Sequence, residues 1–398
     1  MWADLLPVGR DPRSGGYRRF AWTDADRQLR EWFAAEARRR GLDLIEDRGG
    51  NQWAWWGDPD AAVRAGDPGI AVGSHLDSVP DGGAFDGPLG VVSGFAAVDA
   101  LRADGFAPRR PVAVAAFAEE EGARFGLACA GSRLLTGGLD PGRALGRRDD
   151  AGITLAEALA ASGRDPADTG RDDVALDRVS ALVELHVEQG RGLVDLGAPV
   201  GVGTGIWPHG RWRVDLPGRA DHAGTTALGD RHDPMISLAQ LVLMARAAAV
   251  RHRALATCAK VAVQPNAVNA IPSQVTAWLD ARAADEAPVR AVVADVAALV
   301  ARSGGRLQEE SWTPATAFPT ALVDRLADCL PEGLGDAPRL ATGAGHDAGV
   351  LAAAGVPTAM LFVRNPSGVS HSPAEHAEPA DCRAGVAALT AAVRELAG

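Results

Sequence analysis

Residues 70–87 have the sequence IAVGSHLDSVPDGGAFDG, and the first four positions form an apolar run that is typical of a short interior strand. His75 and Asp77 then fall at the carboxyl end of this strand, where open α/β sheets place their ligands. Asp86 follows in a glycine-rich segment, where the backbone can approach a metal closely; as an alternative, Asp86 only forms an Asp-Gly turn. The stretch predicts an α/β sheet with a metal site at one strand end.

Helix-like and strand-like segments alternate around this stretch, from about residue 20 to residue 207. The helical patterns span 23–40 and 91–101, and the apolar strands span 111–118 and 179–185. Such alternation is typical of a mostly parallel sheet. Residues 138–178 are polar and rich in Gly, Asp and Ala. We expect a surface excursion there, with one helix near 154–161.

The order of elements changes near residues 205–208. The pattern then predicts a strand at 211–216, a helix at 234–250, strands at 259–264 and 274–282, a helix at 286–302 and a strand at 305–312. This split-βαβ order is typical of a small, ferredoxin-like α+β domain. The earlier alternation resumes with a helix at 344–354, a strand at 358–363 and a helix at 381–396. We therefore predict an α/β domain formed by residues 1–207 and 315–398, with an inserted domain at 208–314.

Composition and charge exclude several classes of function. A formal net charge of -11 argues against nucleic acid or an anionic membrane surface as the main partner, since both require a basic footprint. No apolar stretch approaches the length of a membrane span, and the N-terminus lacks a signal-peptide hydrophobic region, so we expect a cytoplasmic protein. The four cysteines are far apart, without a Cys-x-x-Cys pair. Any metal must therefore be held by histidine and carboxylate.

Three further motifs follow predicted strands. They are FAEEEG at 117–122, ELHVEQG at 184–190 and SHSPAEH at 370–376. Alone, the three adjacent glutamates form either a solvated turn or a site where a divalent cation offsets their repulsion. His186 alone is either a core histidine or a ligand. Because the motifs all lie at the carboxyl ends of strands of one sheet, we expect them to converge.

The converging residues form a nitrogen and oxygen ligand set. It contains His75, His186, His371, Asp86 and one or more glutamates. Such a set suits Zn, Mn, Co or Ni better than Mg or a thiophilic ion. Five ligands fit two ions that share a bridging carboxylate, and a pair of ions can acidify water and polarise a carbonyl. The reaction that this arrangement predicts is hydrolysis of an amide-like bond.

Seven strings, in order over nearly the whole chain, resemble one known family. They are GSHLDSVPDGGAFDGPLGV, FAEEEGARFG, ELHVEQG, GRADHAGTT, PNAVNAIP, GAGHDA and PSGVSHSPAEH. These strings are similar to those of the allantoate amidohydrolase and N-carbamoyl-L-amino-acid hydrolase family, part of the wider group of di-metal aminopeptidases and aminoacylases. The resemblance implies a mostly parallel-sheet di-metal hydrolase domain with an inserted lid and dimerisation domain.

The resemblance also implies a role for each residue of the metal site. His75 and His186 would bind one ion, Glu121 and His371 the other, and Asp86 both.

Two further carboxylates would assist the reaction in this family. Asp77 would accept the ring N–H of His75 and fix its tautomer. Glu120 would be the general base, which takes a proton from water and delivers it to the leaving nitrogen. The choice of Glu120 rather than Glu119 rests on the resemblance, because periodicity is unreliable at a strand end.

Substrate contacts follow from the same resemblance. Gln189 would hydrogen-bond the ureido group, and the backbone of Ser367 and Gly368 would add contacts. Asn269 and Arg282 match a substrate-binding pair, since a guanidinium suits bidentate capture of a carboxylate.

Other residues of the inserted domain are less determined. His222 corresponds to a histidine that stabilises the oxyanion in the other subunit of a dimer, although alone it is a loop histidine. Arg231 and His232 lie where the family often has two basic residues, and either is near the ligand or is a surface charge. The sequence ALGD at 227–230 departs from the family pattern, so the pocket beside Arg231 differs. His346 and Asp347 match a motif behind the metal site.

The leading hypothesis is metal-dependent hydrolysis of a ureido C–N bond in a small carboxylate, either allantoate or an N-carbamoyl-L-amino acid, with release of ammonia and carbon dioxide. A second hypothesis keeps the two metals but makes the chain a peptidase or an N-acyl amino acid deacylase. A third is a metal-loaded binding protein without activity. The expected assembly is a homodimer formed through the lid domain.

Overall fold

The computed structural model describes residues 1–398 and divides into two compact units. The first unit contains residues 1–205 and 317–398, and the second contains residues 206–316.

Fifteen strands and fourteen α-helices build the chain. The strands are β1 (Asp43–Glu46), β2 (Gln52–Trp56), β3 (Gly69–His75), β4 (Val112–Phe117), β5 (Val179–Val187), β6 (Val200–Ile206), β7 (His209–Pro217), β8 (Asp221–His222), β9 (Leu255–Gln264), β10 (Ala270–Ile271), β11 (Gln274–Arg282), β12 (Arg306–Thr313), β13 (Thr316–Ala317), β14 (Arg339–Thr342) and β15 (Thr358–Val363). The helices are α1 (Trp2–Leu5), α2 (Asp24–Arg39), α3 (Pro59–Arg64), α4 (Pro88–Ala103), α5 (Ala130–Leu135), α6 (Pro141–Leu145), α7 (Leu155–Ala161), α8 (Asp173–Asp177), α9 (Gly192–Leu196), α10 (Pro234–His252), α11 (Glu286–Arg302), α12 (Thr320–Asp328), α13 (Asp347–Ala353) and α14 (Pro379–Ala397).

The first unit contains a nine-stranded sheet in the order β1-β2-β4-β3-β5-β15-β6-β13, with β14 paired to β6. Its centre is parallel, because β3 pairs in parallel with β4 and β5, and β15 pairs in parallel with β5. Every residue of β3, β4 and β15 is buried. Burial on both faces explains why these strands are continuous apolar runs in the sequence. The predicted α/β class with a mostly parallel sheet is confirmed.

Residues 138–178 are more structured than a surface excursion. They contain α6, α7 and α8, where the sequence analysis expected one helix. Leu155 and Leu159 of α7 pack with Phe125 and Leu134 in a small core. The expectation was wrong because this short amphipathic helix buries its leucines in a region whose average composition is polar.

The second unit is a four-stranded antiparallel sheet in the order β12-β7-β11-β9 with two helices, α10 and α11. One face of the sheet carries alternate buried residues such as Trp212, Val214 and Leu279, which pack with Leu241 of α10 and Val296 of α11. The opposite face therefore carries the polar residues of the same strands.

Helix α10 is long and apolar enough to cross a membrane by length and composition, which the sequence analysis did not expect. Its window is 33% buried, and Leu238, Leu241 and Ala245 belong to the core of the second unit. One face of the helix therefore packs in the core of the second unit, and its length and composition alone are weak evidence for a membrane span.

Candidate metal centre

The parallel strands place the five predicted metal ligands at one end of the central sheet. His75 is the last residue of β3, and Asp86 lies in the segment between β3 and α4. Glu121 follows β4, His186 lies near the end of β5, and His371 follows β15. Because the carboxyl ends of parallel strands meet at the same edge, these side chains converge.

Asp86 lies between two groups of ligands. Its Oδ1 is 3.2 Å from His186 Nε2 and 3.5 Å from His75 Nε2. Its Oδ2 is 3.5 Å from His371 Nε2, and that nitrogen is 3.5 Å from Glu121 Oε2. We call His75, Asp86 and His186 the first triad, and Asp86, Glu121 and His371 the second triad. In each triad the candidate ligand atoms lie within 4.8 Å of one another, and one carboxylate belongs to both.

The histidines of the first triad direct their Nε2 atoms into the centre. His75 Nδ1 lies 3.1 Å from the backbone oxygen of Asp77, and His186 Nδ1 lies 2.9 Å from that of Val187. A carbonyl oxygen only accepts, so both rings carry the proton on Nδ1 and present the Nε2 lone pair. His186 Nε2 is buried and makes no hydrogen bond. A divalent cation would supply the partner that this nitrogen lacks. Because each triad offers three candidate ligand atoms and both include Asp86, the residues fit a pair of ions.

Burial and mutual repulsion dominate the electrostatics of the centre. Burial raises the pKa of Glu120 and Glu121 well above the usual value, and the charge of Asp86 adds to the effect on Glu121. Burial also acts to raise the pKa of Asp86, but hydrogen bonds from His186 and His75 in their protonated form hold it well below the usual value. A bound cation would keep all three carboxylates ionised.

The carboxylate of Asp77 is placed differently from the prediction. The hydrogen bond from His75 Nδ1 goes to the backbone oxygen of Asp77, while Asp77 Oδ1 is 3.5 Å from that nitrogen. Oδ1 and Oδ2 accept the backbone N–H groups of Glu120 and Glu121, each at 3.1 Å. The carboxylate of Asp77 therefore fixes the turn that carries Glu120, and the backbone oxygen of Asp77 fixes the ring of His75.

Glu120 and Glu119 point in different directions. Glu120 Oε2 lies 3.8 Å from His75 Nε2, and Glu120 Oε1 accepts a hydrogen bond from the thiol of Cys129 at 3.3 Å. Glu119 has a left-handed backbone, with φ of 52°, and its Oε1 accepts the backbone N–H of Phe125. Of these two adjacent glutamates, Glu120 is the one that the structure places against the metal ligands.

Gln189 lies beside the second triad. Its Nε2 donates to Asp86 Oδ2 at 2.8 Å and to Ser370 Oγ at 3.1 Å. Its Oε1 is buried and accepts no hydrogen bond. This carbonyl oxygen therefore lacks the hydrogen-bond donor that a buried acceptor ordinarily has.

The backbone N–H groups of Ser367 and Gly368 are engaged within their own loop. Both donate to Asn365 Oδ1, at 3.1 Å and 3.0 Å. Any contact that they make with a substrate must therefore use other atoms or replace these bonds.

The structure shows partners of the candidate metal ligands and of Glu120 that the sequence does not predict. Cys129 has no predicted role, and Ser370 and Glu375 lie in the SHSPAEH motif without a predicted role. Glu375 Oε1 accepts the backbone N–H of Asp86, 289 positions away in sequence. The only signal for these residues was their presence in or near the motifs.

A group of buried polar residues lies next to the candidate metal ligands. It includes His346 and Asp347, which the sequence predicts at this place. The ring of His346 lies 4.5 Å from that of His186, and Asp347 accepts a hydrogen bond from Ser132. Glu184 accepts from Ser74 Oγ at 2.8 Å and from the backbone N–H of Ala348 at 2.9 Å.

His222 and Asn269 are neighbours in the second unit. His222 pairs with Ala270 across β8 and β10, and the backbone oxygen of Asn269 accepts the N–H of Ala223. Gly224 N–H donates to His222 Nδ1 at 3.0 Å. Since Nδ1 accepts, the neutral ring carries its proton on the exposed Nε2, which is a hydrogen-bond donor.

The two predicted arginines of this unit have different surroundings. Arg282 forms a two-point contact with Asp280, through Nε at 2.7 Å and Nη2 at 2.9 Å. Arg231 donates to the backbone oxygens of Thr226 and Ala223, at 3.0 Å and 2.7 Å. Arg231 therefore holds together the loop that follows His222.

Comparison with known proteins identifies relatives along the whole chain. The model of peptidase family M20/M25/M40 matches residues 71–395. The N-carbamoyl-L-amino acid amidohydrolase of Geobacillus stearothermophilus is 38% identical, over 100% of this chain and 98% of its own length. The allantoate amidohydrolase of Escherichia coli (strain K12) is 31% identical, over 99% and 96%. A crystal structure of an amidase of the hydantoinase/carbamoylase family from Burkholderia vietnamiensis has a TM-score of 0.90 at 30% identity, over 100% of this chain and 95% of that one.

Proposed function

Because this chain belongs to peptidase family M20/M25/M40, we propose that it is a di-metal amidohydrolase that cleaves a ureido C–N bond in a small carboxylate. The substrate is an N-carbamoyl-L-amino acid or allantoate, and the products include ammonia and carbon dioxide. The observation that carries the proposal is the pair of triads that share Asp86. The names of the relatives do not favour the alternative of a peptidase or N-acyl amino acid deacylase.

The first and second triads would each hold a divalent ion, Zn, Mn, Co or Ni, and such a pair of ions would acidify water and polarise the carbonyl of the ureido group. Glu120 takes the proton of the attacking water and passes it to the leaving nitrogen. Its position supports this role, because Oε2 faces His75 while Oε1 is held by Cys129.

The residues predicted to contact the substrate have the following roles in this proposal. The unpaired Gln189 Oε1 accepts an N–H of the ureido group. Ser367 and Gly368 add contacts through backbone atoms other than the N–H groups that bond to Asn365. Arg282 binds the substrate carboxylate with Asn269, and the Nε2–H of His222 stabilises the developing oxyanion. Arg231 borders the substrate pocket in this proposal, and its bonds with two backbone carbonyls fix the loop after His222.

We also propose that the chain forms a homodimer through the second unit. Ile236, Leu243 and Val250 recur at every seventh position of α10 and are 61%, 70% and 77% exposed. They form one apolar stripe on the helix. The neighbouring β9 lies at the edge of its sheet and exposes Leu255 and Val261. An apolar stripe beside an open strand edge suits a second copy of the same surface.

A panel of ureido substrates with an ammonia readout tests the function. Purified protein is depleted of metal, reconstituted with Mn, Zn, Co or Ni in turn, and assayed with allantoate and several N-carbamoyl-L-amino acids. We expect ammonia release that requires added metal. Parallel assays with N-acetyl amino acids and dipeptides measure the competing activity. Turnover confined to those substrates would exclude the proposed function.

A further inference from the structure

Glu375 joins the two loops that carry ligands of the second triad, and the proposed mechanism does not use it. The carboxylate is buried, with 5% of the residue exposed. Its Oε1 accepts the backbone N–H groups of Phe85 and Asp86, both at 2.9 Å. The side chain therefore fixes the backbone of the shared ligand from the loop that contains His371.

A second connection runs through Ser370, the residue before His371. Ser370 Oγ lies 3.2 Å from Asp86 Oδ2 and 3.4 Å from Glu375 Oε2. Both the backbone and the carboxylate of Asp86 are thus tied to the 370–375 segment.

The segment before Asp86 leaves space for this side chain. A Cβ atom on Gly83 would lie 2.3 Å from Glu375 Oε1 and 2.5 Å from Glu375 Cβ. A side chain at position 83 is therefore incompatible with the present position of Glu375.

The two triads differ in how their histidines are held. His75 and His186 lie on central strands and are 1% exposed. His371 lies in a loop, and its side chain is 50% exposed. The position of His371 relative to Asp86 consequently depends on contacts between the loops that carry them. The hydrogen bonds of Glu375 connect these two loops.

We infer that Glu375 is a positioning residue that holds the shared ligand Asp86 against the loop of His371, so that the second triad depends on it more than the first, whose two histidines lie on strands. The inference rests on the proposed two-ion centre. It requires a hydrogen-bond acceptor at position 375 instead of a charge, because the contacts of Oε1 are with backbone N–H groups. Loss of such an orienting partner typically weakens metal binding by about 10- to 100-fold.

The test is a titration of metal-free protein with Co²⁺, followed by calorimetry and by the visible absorption of bound Co²⁺. We expect two ions per wild-type chain. Glu375→Ala should bind the ion of the second triad about 10- to 100-fold more weakly, and the ion of the first triad should weaken less, since its two histidines keep their positions on the strands. Glu375→Gln should restore the second ion, because the amide oxygen accepts the same two N–H groups.

Asp172→Ala is the matched control. Asp172 also accepts two backbone N–H groups, from Arg48 and Ala175, but lies away from the centre. This variant should keep both ions. Gly83→Ala provides a second variant, which displaces Glu375 without removing it, and should weaken the same ion. If Glu375→Ala does not fold, the metal affinities of Gly83→Ala test the role of Glu375 in its place.

The possible outcomes distinguish failure of the inference about Glu375 from failure of the proposed two-ion centre. A wild-type chain that binds fewer than two ions would contradict the two-ion centre and the inference with it. Two ions in the wild type, with unchanged affinities in Glu375→Ala and Gly83→Ala, would overturn the role of Glu375 alone. Equal weakening of both ions in these variants, or no recovery in Glu375→Gln, would also overturn it.

Discussion

The thiol of Cys129 donates a hydrogen bond to Oε1 of Glu120 at 3.3 Å. This bond leaves Oε2 of the same carboxylate directed toward His75. Cys129 is buried, and burial raises the pKa of its thiol well above the usual value, so the sulfur remains a protonated donor. A thiol in this state orients the proposed base and is a poor nucleophile.

Cys129→Ala should lower kcat about fivefold with little change in KM, since a hydrogen bond of this kind contributes about 1 kcal/mol. Cys129→Ser keeps a donor at the same position and should recover most of the activity. Steady-state kinetics of the two variants make the comparison. Equal activity of Cys129→Ala and wild type would show that the thiol does not orient Glu120.

Glu120→Gln should abolish measurable turnover while both metal ions stay bound, because general-base catalysis contributes about 10²- to 10⁴-fold to the rate. Glu119→Gln is the matched control one position away. Its amide oxygen can still accept the N–H of Phe125, so kcat should stay within about threefold of wild type. Ammonia release and metal content are measured for each. If Glu119→Gln loses the activity and Glu120→Gln keeps it, the base has been assigned to the wrong residue.

The convergence of the candidate metal ligands could be predicted because each of them lies at or after the end of a recognisable strand. A parallel sheet brings the carboxyl ends of β3, β4, β5 and β15 to one edge, so local patterns carried information about a non-local site. The class of the fold followed from the same runs, because strands buried on both faces are apolar throughout.

The residues that orient the ligands could not be predicted in this way. Glu375 and Asp86 are 289 positions apart, and no periodicity relates them. The acceptor of the His75 ring is a backbone oxygen, which is present in every residue and leaves no signature in the sequence. Arg231 likewise has a side chain that could bind a ligand, but in the structure it donates to backbone carbonyls of its own loop.

Arg282→Lys should raise KM about 10- to 100-fold with a smaller effect on kcat, because an ammonium group cannot reproduce the bidentate contact with a carboxylate. Arg213→Lys is a matched control, since Arg213 also pairs with an aspartate two positions along a strand of the same sheet, Asp215. Its KM should stay close to wild type. Similar increases for both variants would indicate a general effect on the second unit, in contrast to a specific substrate contact.

Leu243→Asp should convert the proposed homodimer to monomers, because it places a charge in the middle of the exposed stripe of α10. Val174→Asp is the control, since Val174 is 62% exposed in the first unit. Light scattering coupled to size-exclusion chromatography measures the mass of each variant over a range of concentrations. A wild-type chain that is monomeric throughout, or a Leu243→Asp variant with unchanged mass, would contradict the proposed interface.

Asp47 should make the stability of the protein depend on pH. Burial raises the pKa of Asp47 from 3.8 to about 6, against the opposing hydrogen bonds from Asn51 and Trp53. The folded chain therefore binds this proton more tightly than the unfolded chain does. The resulting stabilisation is fully present below about pH 4 and is lost as the pH rises through about 6.

The unfolding free energy of wild type relative to Asp47→Asn should accordingly increase by about 2 kcal/mol between pH 7 and pH 4. Urea denaturation at several pH values measures this difference. Asp60→Asn should show the opposite sign, because the hydrogen bond from Arg178 lowers the pKa of Asp60. A difference between wild type and Asp47→Asn that is constant with pH would mean that Asp47 does not change its protonation on folding.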